Sequence, residues 1–301
     1  MLDSAMIKSQ ARKFGAARCG IGDIAGFAGV ASGCDPKSIL PAARCIIGCV
    51  FAVPRTLFRV MERGRQFFNY VQTGVKVIDE ELAEVFLLRM AALIENAGYD
   101  ACVQRNVSNL RRKGDKSTNP EVVDTYELAL AEAVAPGKPA PEVMLDFGLA
   151  AEVCGLGARS MRGRVLVPEL GPFCRMVFIV TDAPLEPDAP FEGNLCDSCG
   201  ECIKACPGHA VTPDGTDSWQ CAVYYRGAHR SNPLMKESFL AGDPRREAIL
   251  NGDFRFDAKL ARELYPELDF LPSRSTGYAG CLCGRRCDTV CYRHLKAKGR
   301  L

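Results

Sequence analysis

Apolar and polar positions along this chain change period in blocks, and the blocks predict its elements. Residues 4–14 place apolar side chains at helical spacing ahead of Gly15, which predicts a short amphipathic helix. Residues 16–21 and 45–53 are continuous apolar runs, the second stopped by Pro54, and predict buried strands. Residues 67–97 carry a long helical period. Leu82, Val85, Phe86, Met90, Leu93 and Ile94 form its expected apolar face, Gly98 its cap, and Gly74 a break near its start. Residues 100–104 predict a further strand, 122–133 and 146–154 helices, and 164–167 and 175–181 two more strands. Residues 136–141 read as a connector, and 184–192 as a proline-rich acidic linker. This order predicts an α+β domain over residues 1–190 and a second domain over 191–301.

Composition narrows the class. A chain of 301 residues with 48% hydrophobic and 25% charged side chains is that of a soluble globular protein. The net charge of +2 argues for neither a nucleic-acid nor a membrane partner. The first residues lack a signal peptide's apolar core, and the longest apolar runs are too short to span a bilayer, so a cytoplasmic protein is expected. Residues 105–119 are polar and basic, with Arg111, Arg112, Lys113 and Lys116 close together; a solvated loop is expected there before an anion site.

The strongest chemical signal is Cys196-Asp-Ser-Cys199-Gly-Glu-Cys202-Ile-Lys-Ala-Cys206-Pro207. Its C-x2-C-x2-C-x3-C-P spacing is the run with which bacterial ferredoxins hold [4Fe–4S] cubes. Each iron corner takes one soft thiolate. Three cysteines so spaced can wrap one cube, with Gly200 easing the loop, while the fourth points to a second cube. A zinc site is the alternative, but it usually draws on pairs of C-x2-C.

Sixteen cysteines in all, with such a run among them, argue for a reducing compartment over a disulfide framework. A second group, Cys281-Leu-Cys283-Gly-Arg-Arg-Cys287-Asp-Thr-Val-Cys291, ends the chain, and Cys221 stands between the groups. The expected division puts Cys196, Cys199, Cys202 and Cys291 on one cube. Cys206, Cys221, Cys287 and one of Cys281 and Cys283 go to the other, which leaves one of that pair free. For Cys221 the competing reading is a small apolar residue on a helix. Cys19, Cys34, Cys45, Cys49, Cys102, Cys154 and Cys174 read as packing residues in strands or on apolar faces. The three histidines, His209, His229 and His294, read as surface or cluster-side residues, and no nucleotide-binding fingerprint is present.

Several of these motifs together resemble the cobalamin-dependent epoxyqueuosine reductases and the related reductive dehalogenases. Ala150-Ala151-Glu152-Val153-Cys154-Gly155-Leu156-Gly157 opens the matching segment, Gly171-Pro172 lies within it, and Thr181-Asp182-Ala-Pro184-Leu185 leads into the cysteine run. Leu40-Pro41-Ala-Ala-Arg44 resembles the family's entry to an early strand, Trp219-Gln-Cys221 its lone bridging cysteine, and Cys287-x3-Cys291 its closing pair.

The resemblance implies an N-terminal, mixed-sheet, nitroreductase-like domain with flanking helices, followed by a ferredoxin-like module with two [4Fe–4S] clusters. The clusters would pass single electrons to a corrinoid (cobalamin) or directly to a substrate. Gly155, Gly157, Arg159 and Ser160 would form the corrinoid loop, and a ferredoxin or flavodoxin would donate the electrons. A small molecule or a corrinoid is the expected substrate or partner; nucleic acid is not.

The chain also departs from the pattern. Ser160 replaces a family glycine, and Arg159, Arg162 and Arg164 crowd the same loop. The aspartate nearest the family's general-acid position is Asp146, out of register, and helix-capping is its competing role. The chain ends ten residues after Cys291, without the helical-repeat extension that helps epoxyqueuosine reductases hold tRNA. A divergent relative is expected. The alternative is an electron-transfer protein that docks a redox partner and performs no substrate chemistry of its own.

Overall fold

The computed structural model describes residues 2–106, 136–138, 142–272 and 279–301. The basic cluster Arg111 to Lys116 and the helix expected over 122–133 lie outside the described residues. The chain divides into two compact units: Met1–Ala52, Asp79–Ala158 and Cys174–Gly193 form the first, and Val53–Ile78, Arg159–Phe173 and Asn194–Leu301 the second.

The first six strands in chain order are β1 (Arg18–Asp23), β2 (Cys45–Ala52), β3 (Ala101–Gln104), the two-residue β4 (Ala158–Arg159) and β5 (Val165–Leu166), and β6 (Cys174–Thr181). The first unit is built on a four-stranded sheet in the order β1-β2-β6-β3. Every pairing in it is antiparallel. This corrects the expected mixed sheet. β2 and β3 run the same way, but β6 lies between them and pairs with both, so the parallel contact that a helical crossover would create is never made.

β2 is buried along all but its last residue, which is why its sequence runs apolar without alternation. On one face, Phe51 meets Phe86 edge-on at 5.1 Å, and Phe86 meets Phe14 at 6.5 Å. These rings seat the helices Ser4–Lys13 and Ala83–Glu95. The other face carries Gly20, Gly22 and Gly48. A Cβ at Gly20 would overlap the Cys154 carbonyl, so these glycines let the helix Phe147–Val153 and the turn after it lie directly on the strands.

The long helical period of 67–97 is real but not uniform. Residues Gln72–Leu82 widen into π-helical geometry around Gly74, and only Ala83–Glu95 continues as regular helix. The wider turn shifts the buried face to Ala83, Phe86, Leu87, Met90 and Ile94, leaving the expected Leu82 and Val85 exposed. Within the first unit, Arg175 grips Asp79 with two nitrogens, its Nε donating at 2.8 Å.

The expected division near residue 190 omits two earlier segments that pack with the C-terminal part of the chain. Phe58 stacks on Phe173 at 4.2 Å, and Phe173 lies 4.9 Å from Tyr292. Glu62 pairs with Arg293 at 2.8 Å, and the Cys281 N–H donates to the Phe67 carbonyl. Burial of these rings draws 53–78 and 159–173 into the second unit.

Candidate metal centres

All nine cysteines of the two groups and the bridge lie in the second unit. The first run folds as a loop leading into a short helix, Glu201–Lys204, with Gly200 at φ +75° and Ser198 at φ +55°. Two left-handed residues so close together curl the loop so that Cys196, Cys199 and Cys202 face one place. The helix Arg286–Ala297 supplies Cys287 and Cys291, one turn apart, or about 6 Å along its axis. Cys221 sits on the helix Ser218–Tyr225, whose start is capped by Asp217 accepting from the Gln220 N–H.

These elements make two cavities. One is lined by Cys196, Cys199, Cys202 and Cys291, with Ser160 and Arg162. The other, of about 390 Å³, is lined by Cys206, Cys221, Cys283 and Cys287, with Arg162, Arg164 and Arg285. Each cavity thus has four cysteines in its lining. Between the alternatives Cys281 and Cys283, it is Cys283 that reaches the lining; Cys281 is fully buried beside it, sulfur to sulfur at 4.0 Å.

A single zinc ion makes a definite demand on its ligands. A tetrahedral zinc ion with bonds of about 2.3 Å would hold its sulfurs about 3.8 Å apart. Among the described residues, the one trio of ligand-type side chains with all ligand atoms within 4.8 Å is Asp197, Cys199 and His294. Neither four-cysteine set is so tight. In the trio, His294 Nε2 and Asp197 Oδ2 already meet at 2.7 Å, and that bond chiefly holds the Asp197 carboxyl below its ordinary range.

Burial pushes the Cys221 and Cys291 thiols up to about 12, and it raises those of Cys202 and Cys287. A thiolate in these places needs compensating positive charge, as a bound metal supplies. Donors already reach sulfur, among them the Ala210 N–H to Cys206 at 3.2 Å and Arg162 Nη1 to Cys287 at 3.3 Å.

The other sequence candidates take different roles. Asp146 caps the helix Phe147–Val153, its carboxylate accepting from the Gly148 and Leu149 N–H groups at 2.8 and 3.2 Å. Gly155, at φ +67°, lies so near the Ala189 carbonyl that a Cβ would come within 2.6 Å of it. Gly157 is buried ahead of β4, the Arg159 carbonyl accepts from Asn194 at 2.8 Å, and Ser160 Oγ donates to the Arg164 carbonyl at 2.7 Å. In the expected corrinoid loop, Gly155 thus permits a close backbone approach and Ser160 closes a tight turn.

A buried charge network was missed in the sequence. Asp288 is 1% exposed and takes Arg162, Arg164 and Arg285 as partners. Its signal was an acid placed directly after a ligand-type cysteine in Arg285-Arg-Cys287-Asp288.

A groove of about 1090 Å³ borders the second cavity and shares Cys206 and Cys283 with it. Arg63, Lys204, Arg230, Arg286 and Arg293 line it against one acid, Glu62. Arg230, Lys204 and Arg293 are paired with carboxylates. Among the described residues, Arg63 and Arg286 have no acidic partner. Also among the described residues, no helix is long and apolar enough to cross a membrane.

By sequence the chain is similar to oxidoreductases of two kinds. It is 37% identical over 65 residues to the epoxyqueuosine reductase of Listeria monocytogenes, covering 22% of this chain and 17% of that protein. It is 38% identical over 61 residues to the tetrachloroethene reductive dehalogenase of Sulfurospirillum multivorans, covering 19% of this chain and 12% of that one. These are the two families that its motifs resemble. The chain spans less than a fifth of the length of either relative. No family model matches it. Among solved structures, the epoxyqueuosine reductase of Streptococcus thermophilus aligns at a TM-score of 0.46 and 17% identity, over 88% of this chain and 65% of that one, a likeness too slight to carry an argument.

Proposed function

We propose that the chain is an iron–sulfur reductase whose second unit holds two [4Fe–4S] clusters and hands single electrons to an acceptor. The observation that carries this reading is the convergence of eight cysteines on two four-cysteine cavities that share one arginine. Cys196, Cys199, Cys202 and Cys291 would hold one cube, and Cys206, Cys221, Cys283 and Cys287 the other, with Cys281 left free. A cube, when bound, takes up and releases one electron with little change in shape. The chain's own part is to supply the thiolates, to exclude water around the buried sulfurs, and to place N–H donors on Cys206 and Cys287.

The groove beside Cys206 and Cys283 is the entry side, and Arg63 and Arg286, without an acidic partner among the described residues, suit an acidic donor of the ferredoxin or flavodoxin kind. A corrinoid is the acceptor that the sequence resemblance implies. Gly155 and Ser160, as placed, give it no support, and no step is assigned to it.

The test is anaerobic reconstitution with iron and sulfide, with and without cobalamin. About eight irons per chain and two interacting paramagnetic centres on reduction are expected, since each cube brings about four irons. A chain that takes up zinc in preference, or whose clusters cannot be reduced, would sink the reading. Retention of cobalamin through gel filtration would restore the corrinoid acceptor.

A further inference from the structure

Arg162 lines both cysteine cavities. It is 7% exposed, and three of its features bear on bound clusters. Its Nη1 donates to the sulfur of Cys287 at 3.3 Å. Its Nη2 is held by Asp288, so the guanidinium plane is fixed. Its Nε is buried without a hydrogen-bond partner, a donor unused by the described protein atoms.

Asp288 does not neutralise this charge alone, because Arg164 at 3.5 Å and Arg285 at 2.6 Å share the same carboxylate. Three guanidinium groups on one carboxylate leave a net positive charge among the thiolates. Because Arg162 lines both cavities, its charge lies beside both cysteine sets.

We propose that Arg162 is a positioning residue for electron transfer, raising the reduction potential of both clusters and most strongly that of the cluster held by Cys287. This rests on the two-cluster reading above. One-electron reduction adds one negative charge to a cluster and transfers no atom. A fixed cation beside the cluster favours the reduced state, more so in a buried site of low effective dielectric. N–H donors to cluster sulfur act in the same direction. The cluster in contact with Arg162 Nη1 should feel both effects, and the other the field alone. The unused Nε would be a further donor available to a bound group.

The experiment compares reconstituted wild type, Arg162→Gln and Arg162→Lys by iron and sulfide content, and by redox titration followed by electron paramagnetic resonance. Arg162→Gln is expected to lower both potentials, the larger fall belonging to the cluster that Cys287→Ser abolishes. Arg162→Lys keeps the charge and should shift that cluster less than the glutamine variant does. Unmoved potentials in an Arg162→Gln protein with its full iron content would overturn the inference and leave the two-cluster reading intact. A wild type without two clusters would overturn the reading beneath it.

If Arg162→Gln cannot hold its iron, the wild type labelled with heavy-nitrogen arginine provides a second readout. Pulsed resonance of the reduced protein should show a nitrogen coupling that Arg162→Lys lacks. Identical spectra would overturn the inference.

Discussion

The two units use the same residue type in opposite ways. In the first unit, five cysteines sit in strands and two in turns. Cys49 lies opposite Cys19 in the β1–β2 pair, Cys45 bonds the Ala183 carbonyl, and Cys154 bonds that of Ile46. Burial pushes the Cys45 thiol up to about 11, so it stays protonated and packs as a small apolar group. In the second unit, eight cysteines leave loops and short helices to face two cavities, with arginines and N–H groups close by. Burial alone does not separate the two sets, since Cys202 and Cys49 are both buried. What separates them is convergence, together with nearby positive charge.

The largest expected effect breaks that contrast directly. Cys221→Ser or Cys283→Ser should remove one cluster, about half of the iron, whereas Cys281→Ser should keep all of it. Iron and sulfide analysis after anaerobic reconstitution reads this. Equal loss in the Cys281 and Cys283 variants would erase the assignment between them.

Next comes the boundary of the second unit. Phe58→Ala removes a ring from the Phe58–Phe173–Tyr292 stack and should cost about 3–5 kcal/mol. Iron should also be lost faster to a chelator. Chelation kinetics unchanged from wild type would show that 53–78 does not support the cluster-bearing unit.

Cys49→Ala is the converse test in the first unit. It should cost about 1 kcal/mol in denaturant unfolding and leave the iron content unchanged. Loss of iron would give this cysteine a role that its strand position does not.

The smallest effect concerns the groove. Electron delivery from an acidic donor should slow as salt rises, and Arg63→Gln should slow it about two- to fivefold at low salt only. Stopped-flow reduction at two ionic strengths measures this, and indifference to salt would move the donor elsewhere.

Much of this contrast was legible in the sequence, and the exceptions are instructive. Cysteine spacing announces a cube because a few bonds of backbone fix how far apart nearby sulfurs can lie. The apolar runs of β2 and β6 announce central strands, because burial on both faces leaves no polar period. The π-helical stretch at 72–82 was hidden, since its composition is that of an ordinary helix. Asp146 invited a catalytic reading, but its position directly ahead of the helix Phe147–Val153 makes it a cap.

The sequence by itself determined most of the described element types and the cysteine-rich C-terminal part. Each of these is a local property, set by period, turn residues or short spacing. Only the tertiary structure decided that β6 lies between β2 and β3, that 53–78 joins the second unit, that Cys283 rather than Cys281 faces a cavity, and that Arg162 borders both cysteine sets. These depend on contacts between residues as far apart as Arg162 and Asp288. Packing and buried charge select such contacts, and no local pattern encodes them.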